Sequence, residues 1–166
     1  MTDAPESSDP NADVQPPQVR VVGQYIKDLS FENPGAPDTL RSSGQPEIDM
    51  AIDVRARGLG EDHYEVELHL SAKAGRQDTT MFIAELVYAG LFHIRNIDER
   101  ARDAFLLIEC PRILFPFARR ILADATRDGG FPPLMLEPVD FAALYRQRLA
   151  RQQQGEGGDA PAGGEA

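Results

Sequence analysis

The sequence predicts an α+β fold in which an antiparallel β-sheet is followed by helices. In the first half of the 166-residue chain, apolar and polar residues alternate with a period of two, as in strands with one solvated face. From about residue 98 the apolar spacing changes to that of a helix. Strands followed by helices are characteristic of the α+β class.

Three segments carry a strong strand pattern. Alternation is strict over 47–55 and 62–73, whereas both parities are largely apolar over 79–92, so this third strand is expected to be covered at least partly on both faces. The glycines at 58–60 and 75 are expected to mark the turns.

A fourth and weaker strand is predicted at the start, over 19–31. It places apolar residues on one face, namely Val21, Tyr25, Leu29 and Phe31. The connection that follows, 34–46, is long and rich in Pro, Gly and Ser, and loops of this length in compact domains are usually functional or mobile.

The helical part is interrupted by prolines. Apolar residues recur at helical spacing over 114–125, and 98–109 looks like an earlier helical piece. Pro111 and Pro116 are expected to break or kink the path between them, because proline lacks the N–H that a helix interior uses. The two glycines and two prolines after Asp128 predict the end of this long helix.

The composition predicts one folded domain, 18–151, between two disordered tails. A shorter helix, starting near Pro138, is expected to end the domain. Residues 1–17 and 152–166 lack apolar periodicity, so they bury too little apolar surface to offset the entropy of ordering.

The charge balance excludes several classes of partner. With 27 acidic and 17 basic residues, the net charge is −10, which argues against nucleic acid and against an anionic membrane surface. Cationic partners are favoured instead. A single cysteine excludes an internal disulfide, and no apolar leader or long apolar span is found, so we expect a cytoplasmic protein without direct membrane insertion.

No metal site or reactive thiol is expected. Cys110 lies in an apolar helical region without a pattern that would lower its pKa, which predicts a buried, inert thiol. His63 and His69 share a strand face but lie about 20 Å apart along it, too far for one ion. His93 belongs to the next strand. We therefore expect no metal and no cofactor.

Catalysis is also disfavoured. Four carboxylates project from the polar face of two neighbouring strands: Asp49, Asp53, Glu65 and Glu67. Such pairs can act as general acid and base where their surroundings separate their pKa values, but nothing apolar shares this face, so a hydrated surface is expected. The sequence contains no phosphate-binding loop or nucleophile motif, and the protein is not expected to be an enzyme.

The apolar surface exceeds what one small sheet can cover. Segments 81–94 and 104–122 would leave an exposed patch on a monomer, and patches of this kind usually mark interfaces. The sequence therefore predicts association.

Two stretches resemble the SecB family of bacterial protein-export chaperones. The first runs from Cys110 to Phe141 and contains Leu-Phe-Pro-Phe and Asp-Gly-Gly-Phe-Pro-Pro; the second is Tyr25-Ile-Lys-Asp-Leu-Ser-Phe-Glu-Asn-Pro34. Together they extend the resemblance from Gln18 to Gln154. It implies a homotetramer, a dimer of dimers with joined sheets and helices sandwiched between the pairs.

The resemblance also implies a function. A member of this family is an ATP-independent holdase that keeps precursor proteins unfolded in the cytoplasm and delivers them to SecA, the motor of the Sec translocase. Asp28 and Glu32 match the first-strand acids that dock SecA, and Ile83 with Glu85 matches the corresponding pair on the fourth strand. The docking element of SecA is a short basic tail that binds zinc, so the zinc belongs to the partner.

Clients are expected in a long apolar groove between the sheet, the crossover loop 34–46 and the helix. The groove residues implied by the resemblance are apolar: Phe31, Leu40, Ile48, Met50, Ile52, Phe82, Ala84, Leu86 and Phe117. One departure is Gly44, where many family members carry a tryptophan. An alternative is a SecB-like adaptor dedicated to one partner, such as a chaperone that controls an antitoxin, and the breadth of clients distinguishes the two.

Overall fold

One antiparallel sheet of four strands forms the first layer of the molecule. The computed structural model describes residues 15–156, and its strands are β1 (Gln18–Glu32), β2 (Glu47–Gly60), β3 (His63–Arg76) and β4 (Thr79–Arg95). The order across the sheet is β1-β4-β3-β2. This confirms the predicted four-stranded antiparallel sheet. Because β1 and β2 are its two edges, the crossover between them, residues 33–46, has to span the width of the sheet.

Two-residue turns join β2 to β3 and β3 to β4. Glu61 and Asp62 have φ of 52° and 59°, and Gln77 and Asp78 have φ of 48° and 62°. Two consecutive positive φ values are the geometry of the type I′ turn, whose twist matches that of the paired strands. The predicted glycines therefore flank the turns rather than occupy their centres.

The sheet has one face towards the helices and one face outward. Even-numbered residues of β3 and β4 form the core side, among them Val66, Leu68, Phe92 and Ile94, each at most 2% exposed. Odd-numbered residues face outward, as the pleat requires. We refer to these as the helix side and the outer face.

Two register shifts in β1 change which of its residues face outward. They lie between Val21 and Gly23 and between Ile26 and Asp28. As a result Tyr25 pairs with Ala89 on the outer face, whereas Leu29 pairs with Leu86 on the helix side. The predicted common face of Tyr25 and Leu29 is wrong, because each bulge inserts one residue and inverts the alternation.

The helices follow the sheet, as predicted. Short α1 (Asp38–Arg41) lies within the crossover and was not expected. After β4 the chain continues through α2 (Glu99–Ala104), a π-helical turn (Phe105–Glu109) and α3 (Cys110–Asp128), and it ends in α4 (Phe141–Glu156).

The predicted interruption at the prolines takes a mild form. The π-helical turn precedes Pro111, which occupies the first turn of α3, where its missing N–H costs little. Pro116 lies inside α3 without ending it. The end of α3 matches the prediction: Gly130 has φ +91°, a conformation that glycine adopts readily, and the Gly129 amide donates to the Ala125 carbonyl at 2.9 Å.

The boundaries of the folded body bear on the predicted tails. β1 begins at Gln18, whereas α4 continues to Glu156, five residues past the predicted boundary at Arg151. Residues 1–14 and 157–166 of the predicted tails lie outside the described residues. Of the helices in the described range, none combines the length and the apolar character needed to cross a membrane.

Candidate functional site

The four residues expected to dock a partner lie together on the outer face. Ser30 pairs with Glu85 and Glu32 with Ile83 across β1 and β4, and Asp28 pairs with Val87 one step further along. Opposite residues of an antiparallel pair project from the same face. The second bulge of β1 is therefore required for this cluster, because it turns the two β1 acids towards the face of Glu85.

The three acids of this cluster carry unneutralised charge. Within residues 15–156, none of Asp28, Glu32 and Glu85 forms an ion pair. A shallow depression of about 280 Å³ lies beside them, and Asp28, Asp53 and Glu85 are among the residues that line it. An acidic, accessible depression of this kind suits a cationic segment.

A second group of charges, next to this cluster, is neutralised. Glu65 is only 5% exposed, and it accepts hydrogen bonds from Arg57 Nε at 2.8 Å, from Lys27 Nζ at 2.9 Å and from the Tyr25 hydroxyl. These hydrogen bonds, of which that from Arg57 contributes most, lower the pKa of Glu65 to about 2. Lys27 also pairs with Glu67.

Glu65 corrects one expectation from the sequence. A hydrated surface was predicted for all four carboxylates of β2 and β3, but Glu65 is buried beneath its partners, whereas Asp49 and Asp53 are exposed. The spacing of β3 alone could not reveal this, because two of the covering residues come from the distant strand β1.

An apolar cleft of about 440 Å³ lies on the helix side, at the end of the sheet. One wall is the crossover, with Leu40, and the other is the connection between α3 and α4, with Phe131; Ile48 and Phe82 also line the cleft. None of the residues 15–156 that line it is charged. Its composition fits the capture of apolar side chains by burial.

Three aromatic rings support the cleft. Phe82 stacks on Phe31 with ring centroids 5.8 Å apart, and Phe131 lies 5.0 Å from Phe82. A side chain at Gly129 would meet the Phe31 ring at 2.2 Å, so this ring and the end of α3 approach closely only because residue 129 is glycine.

The predicted groove residues divide into three groups. Leu40, Ile48 and Phe82 meet at the cleft, and Leu40 and Ile48 expose 49% and 42% of their surface. Ala84 and Leu86 are 0% and 1% exposed, so they belong to the core below it.

The remaining members lie outside the cleft. Phe31 is half-buried against it, and Met50 is partly buried on β2. Ile52 lines a second cleft of about 470 Å³ between β2 and α4. Phe117 is 45% exposed on α3 and stacks on Tyr88, with ring centroids 6.4 Å apart.

Sequence reasoning missed the far wall of the cleft. Residues 130–134, Gly-Phe-Pro-Pro-Leu, contribute this wall, and Met81 also lines the cleft. The sequence pattern assigns the two prolines only to the end of α3. A signal was available in Phe131 and Leu134, two apolar residues in an otherwise breaking segment.

The thiol is buried, and two of the three histidines lie close together. Cys110 is fully buried, as predicted, and burial raises its pKa to about 12. His63 pairs with His93 across β3 and β4, with ring centroids 4.7 Å apart. Desolvation, and to a smaller extent the positive charge of Arg95, lower the pKa of His93. Among residues 15–156, no group of three or more potential metal ligands exists.

Known proteins are similar in sequence to this chain over nearly its whole length. Residues 12–152 match the family described as preprotein translocase subunit SecB. The protein-export protein SecB of Maricaulis maris is 65% identical, over 92% of this chain and 89% of its own length. That of Hyphomonas neptunium is 54% identical, over 95% of this chain and 99% of its own length.

A solved structure shares the fold. It is the Mycobacterium tuberculosis Rv1957 SecB-like chaperone in complex with a ChAD peptide from the Rv1956 HigA1 antitoxin, with a TM-score of 0.61 and 18% identity. The match covers 73% of this chain and 90% of that chain.

Proposed function

The chain belongs to the SecB family of protein-export chaperones, and we propose that it acts as an ATP-independent holdase that keeps precursor proteins unfolded in the cytoplasm and delivers them to SecA. The observation that carries this proposal is the division of the sheet into an acidic outer face and an apolar cleft on the helix side. A binder of unfolded chains draws the folding equilibrium towards the unfolded form by mass action, which requires neither nucleotide nor catalysis.

The apolar cleft is the proposed client site. Leu40, Ile48 and Phe82, with Phe131 opposite, offer apolar contacts without a charged or sequence-specific element. Each large side chain that a client buries contributes about 1.5–3 kcal/mol. Several such sites on one oligomer bind an extended chain tightly through avidity, although each contact is weak.

The acidic cluster is the proposed docking site for the basic tail of SecA. Its unpaired acids, Asp28, Glu32 and Glu85, attract a cationic segment, and Ile83 supplies an apolar contact among them. Electrostatic complementarity of this kind increases the association rate and the selectivity of docking. Because the cluster lies on the opposite side of the sheet from the cleft, client and motor do not compete for the same surface.

Assembly into a homotetramer is part of the proposal. β1 is an edge strand whose apolar side chains are 38–48% exposed, namely Val19, Val21, Val22, Tyr25, Ile26 and Leu29. An exposed apolar edge of this length is a pairing site for another chain. On α3, the buried Nε of Arg119 has no hydrogen-bond partner within the described residues, which favours a polar partner from a second copy.

The holdase proposal is tested by the refolding of two unrelated proteins. We expect stoichiometric chaperone to delay the refolding of both from denaturant, without nucleotide, and to leave the folded forms unbound. Ile48→Asp should shorten the refolding delay of both proteins to a similar extent. Leu59→Asp, at a residue with similar exposure outside the cleft, should leave the delay unchanged. Native mass measurement must first show that each variant keeps the wild-type assembly.

The dedicated adaptor remains the second candidate, since a SecB-like chaperone of the same fold was solved with an antitoxin peptide. Client breadth separates it from the holdase. Capture of one protein, with all others refolding at their normal rates, would replace the holdase by the adaptor.

A further inference from the structure

The first half of the crossover is fixed by one hydrogen bond to the end of α3 and by a second within the crossover. The Asn33 side-chain amide donates to the Gly129 carbonyl at 3.2 Å, and the Thr39 hydroxyl donates to Asn33 Oδ1 at 3.1 Å. Thr39 is only 7% exposed. This half is therefore packed against the body of the molecule.

The second half, 42–46, is held by one arginine. Arg76 Nη1 donates to the Ser43 carbonyl. No other side chain from outside the crossover, within residues 15–156, bonds to this half. Arg76 is the last residue of β3 and pairs with Thr79 of β4, so the hydrogen bond ties a loop to a rigid hairpin.

Gly44 makes this contact possible. Its φ is +121°, a conformation that residues with side chains rarely adopt, and a Cβ atom there would lie 2.6 Å from Arg76 Nη1. The guanidinium therefore packs against bare backbone, in space that a larger residue 44 would occupy. Gly44 and Arg76 form a matched pair.

The same half of the crossover is a wall of the apolar cleft. Ser42, Gly44, Gln45 and Pro46 line it, opposite Phe131 and Leu134. The position of this wall sets how widely the cleft opens, because the opposite wall follows directly from the end of α3.

We propose that Arg76 is a latch that holds the crossover over the cleft and thereby determines how fast apolar segments enter and leave. The inference rests on the proposed function for the identity of the ligand, but the latch itself is a property of the free protein. Arg76 acts as a positioning residue, since it is not among the residues that line the cleft.

The latch is tested by substitution of Arg76 in the full-length chain. A nitroxide label on Gln45→Cys reports the mobility of the wall, and the buried Cys110, whose pKa is raised, should not react with the label. We expect Arg76→Ala to increase label mobility, and Arg76→Lys to restore it in part, because lysine keeps one donor. The matched control is Arg55→Ala, which removes the same charge from an exposed arginine of β2.

The second readout is the release of a fluorescent apolar peptide from the unlabelled proteins. We expect Arg76→Ala to speed release about three- to tenfold, as for the loss of one hydrogen bond, and Arg55→Ala to leave it unchanged. Unchanged label mobility in Arg76→Ala overturns the latch, and increased mobility with unchanged release overturns its control of the cleft. If the wild-type protein binds no unfolded chain, the proposed function fails while the mobility measurement still decides the latch.

Discussion

Glu65 shows how one side chain organises the outer face. Its carboxylate is buried, yet it accepts hydrogen bonds from donors on two other strands, Tyr25 and Lys27 on β1 and Arg57 on β2. Burial, then the bond to Glu65, raises the pKa of Tyr25 to about 12, so the phenol remains a donor across the neutral range. The network fixes β1 in the sheet next to the acidic cluster.

We expect Glu65→Gln to lower the free energy of unfolding at pH 7 by about 1–3 kcal/mol, the cost of weakening buried charge-assisted hydrogen bonds. The pKa is about 2 when folded, against an ordinary value of 4.5. The stabilisation by the carboxylate is therefore complete above pH 4.5 and is lost as the pH falls towards 2.

Urea denaturation at pH 7 and pH 3 measures this effect. The difference between wild type and Glu65→Gln should be smaller at pH 3. Asp49→Asn, at an exposed residue that forms no ion pair within residues 15–156, should show little change at either pH. A difference of the same size at both pH values would contradict the network.

Among the elements, β1 differs most from what its sequence pattern indicates. Strands β2 and β3 alternate strictly and β4 is apolar on both parities, so the existence and antiparallel pairing of all three could be predicted from the sequence. The bulges of β1 are a matter of register with β4, and no local pattern encodes them. For this reason the outward turn of Asp28 was predictable only by resemblance, whereas the buried Glu65 and the wall at Phe131 depend on contacts between distant segments.

The orientation of β1 and β4 predicts the effect of charge reversal. Asp28→Lys combined with Glu85→Lys should reduce SecA affinity at least tenfold and leave client capture intact, because the two sites lie on opposite sides of the sheet. The affinity of the wild-type protein should fall with added salt, since exposed charges are screened beyond about 8–10 Å.

Surface plasmon resonance with SecA provides the measurement. Reversal of Asp103 and Glu137, two exposed acids away from the cluster, serves as the control with the same change in net charge. Equal loss of SecA and client binding in the Asp28 and Glu85 variant would show that the acidic face has another role.

At the scale of the whole molecule, the exposed apolar edge of β1 is the feature that a single chain leaves incomplete. Ile26→Glu should shift the assembly towards smaller species, because it places a charge on this apolar edge at a residue that is 48% exposed in the single chain. Light scattering at micromolar concentration measures the mass. Leu59→Glu, at a similarly exposed residue on the other edge strand, should leave the mass unchanged. A monomeric wild-type protein would contradict the proposed tetramer.

The strand order also fixes a sequence of events during synthesis. β2, β3 and β4 are joined by two-residue turns and can pair as soon as each emerges from the ribosome. β1 is made first, but its one pairing partner among residues 15–156 is β4, the last strand to appear. The amino-terminal strand and its crossover therefore remain unpaired until β2, β3 and β4 have been synthesised. Because this pairing joins segments that are distant in sequence, we expect it to be the slow step of folding. During its own synthesis, this chain therefore carries an unpaired β1 until β4, in the later part of the sequence, pairs with it.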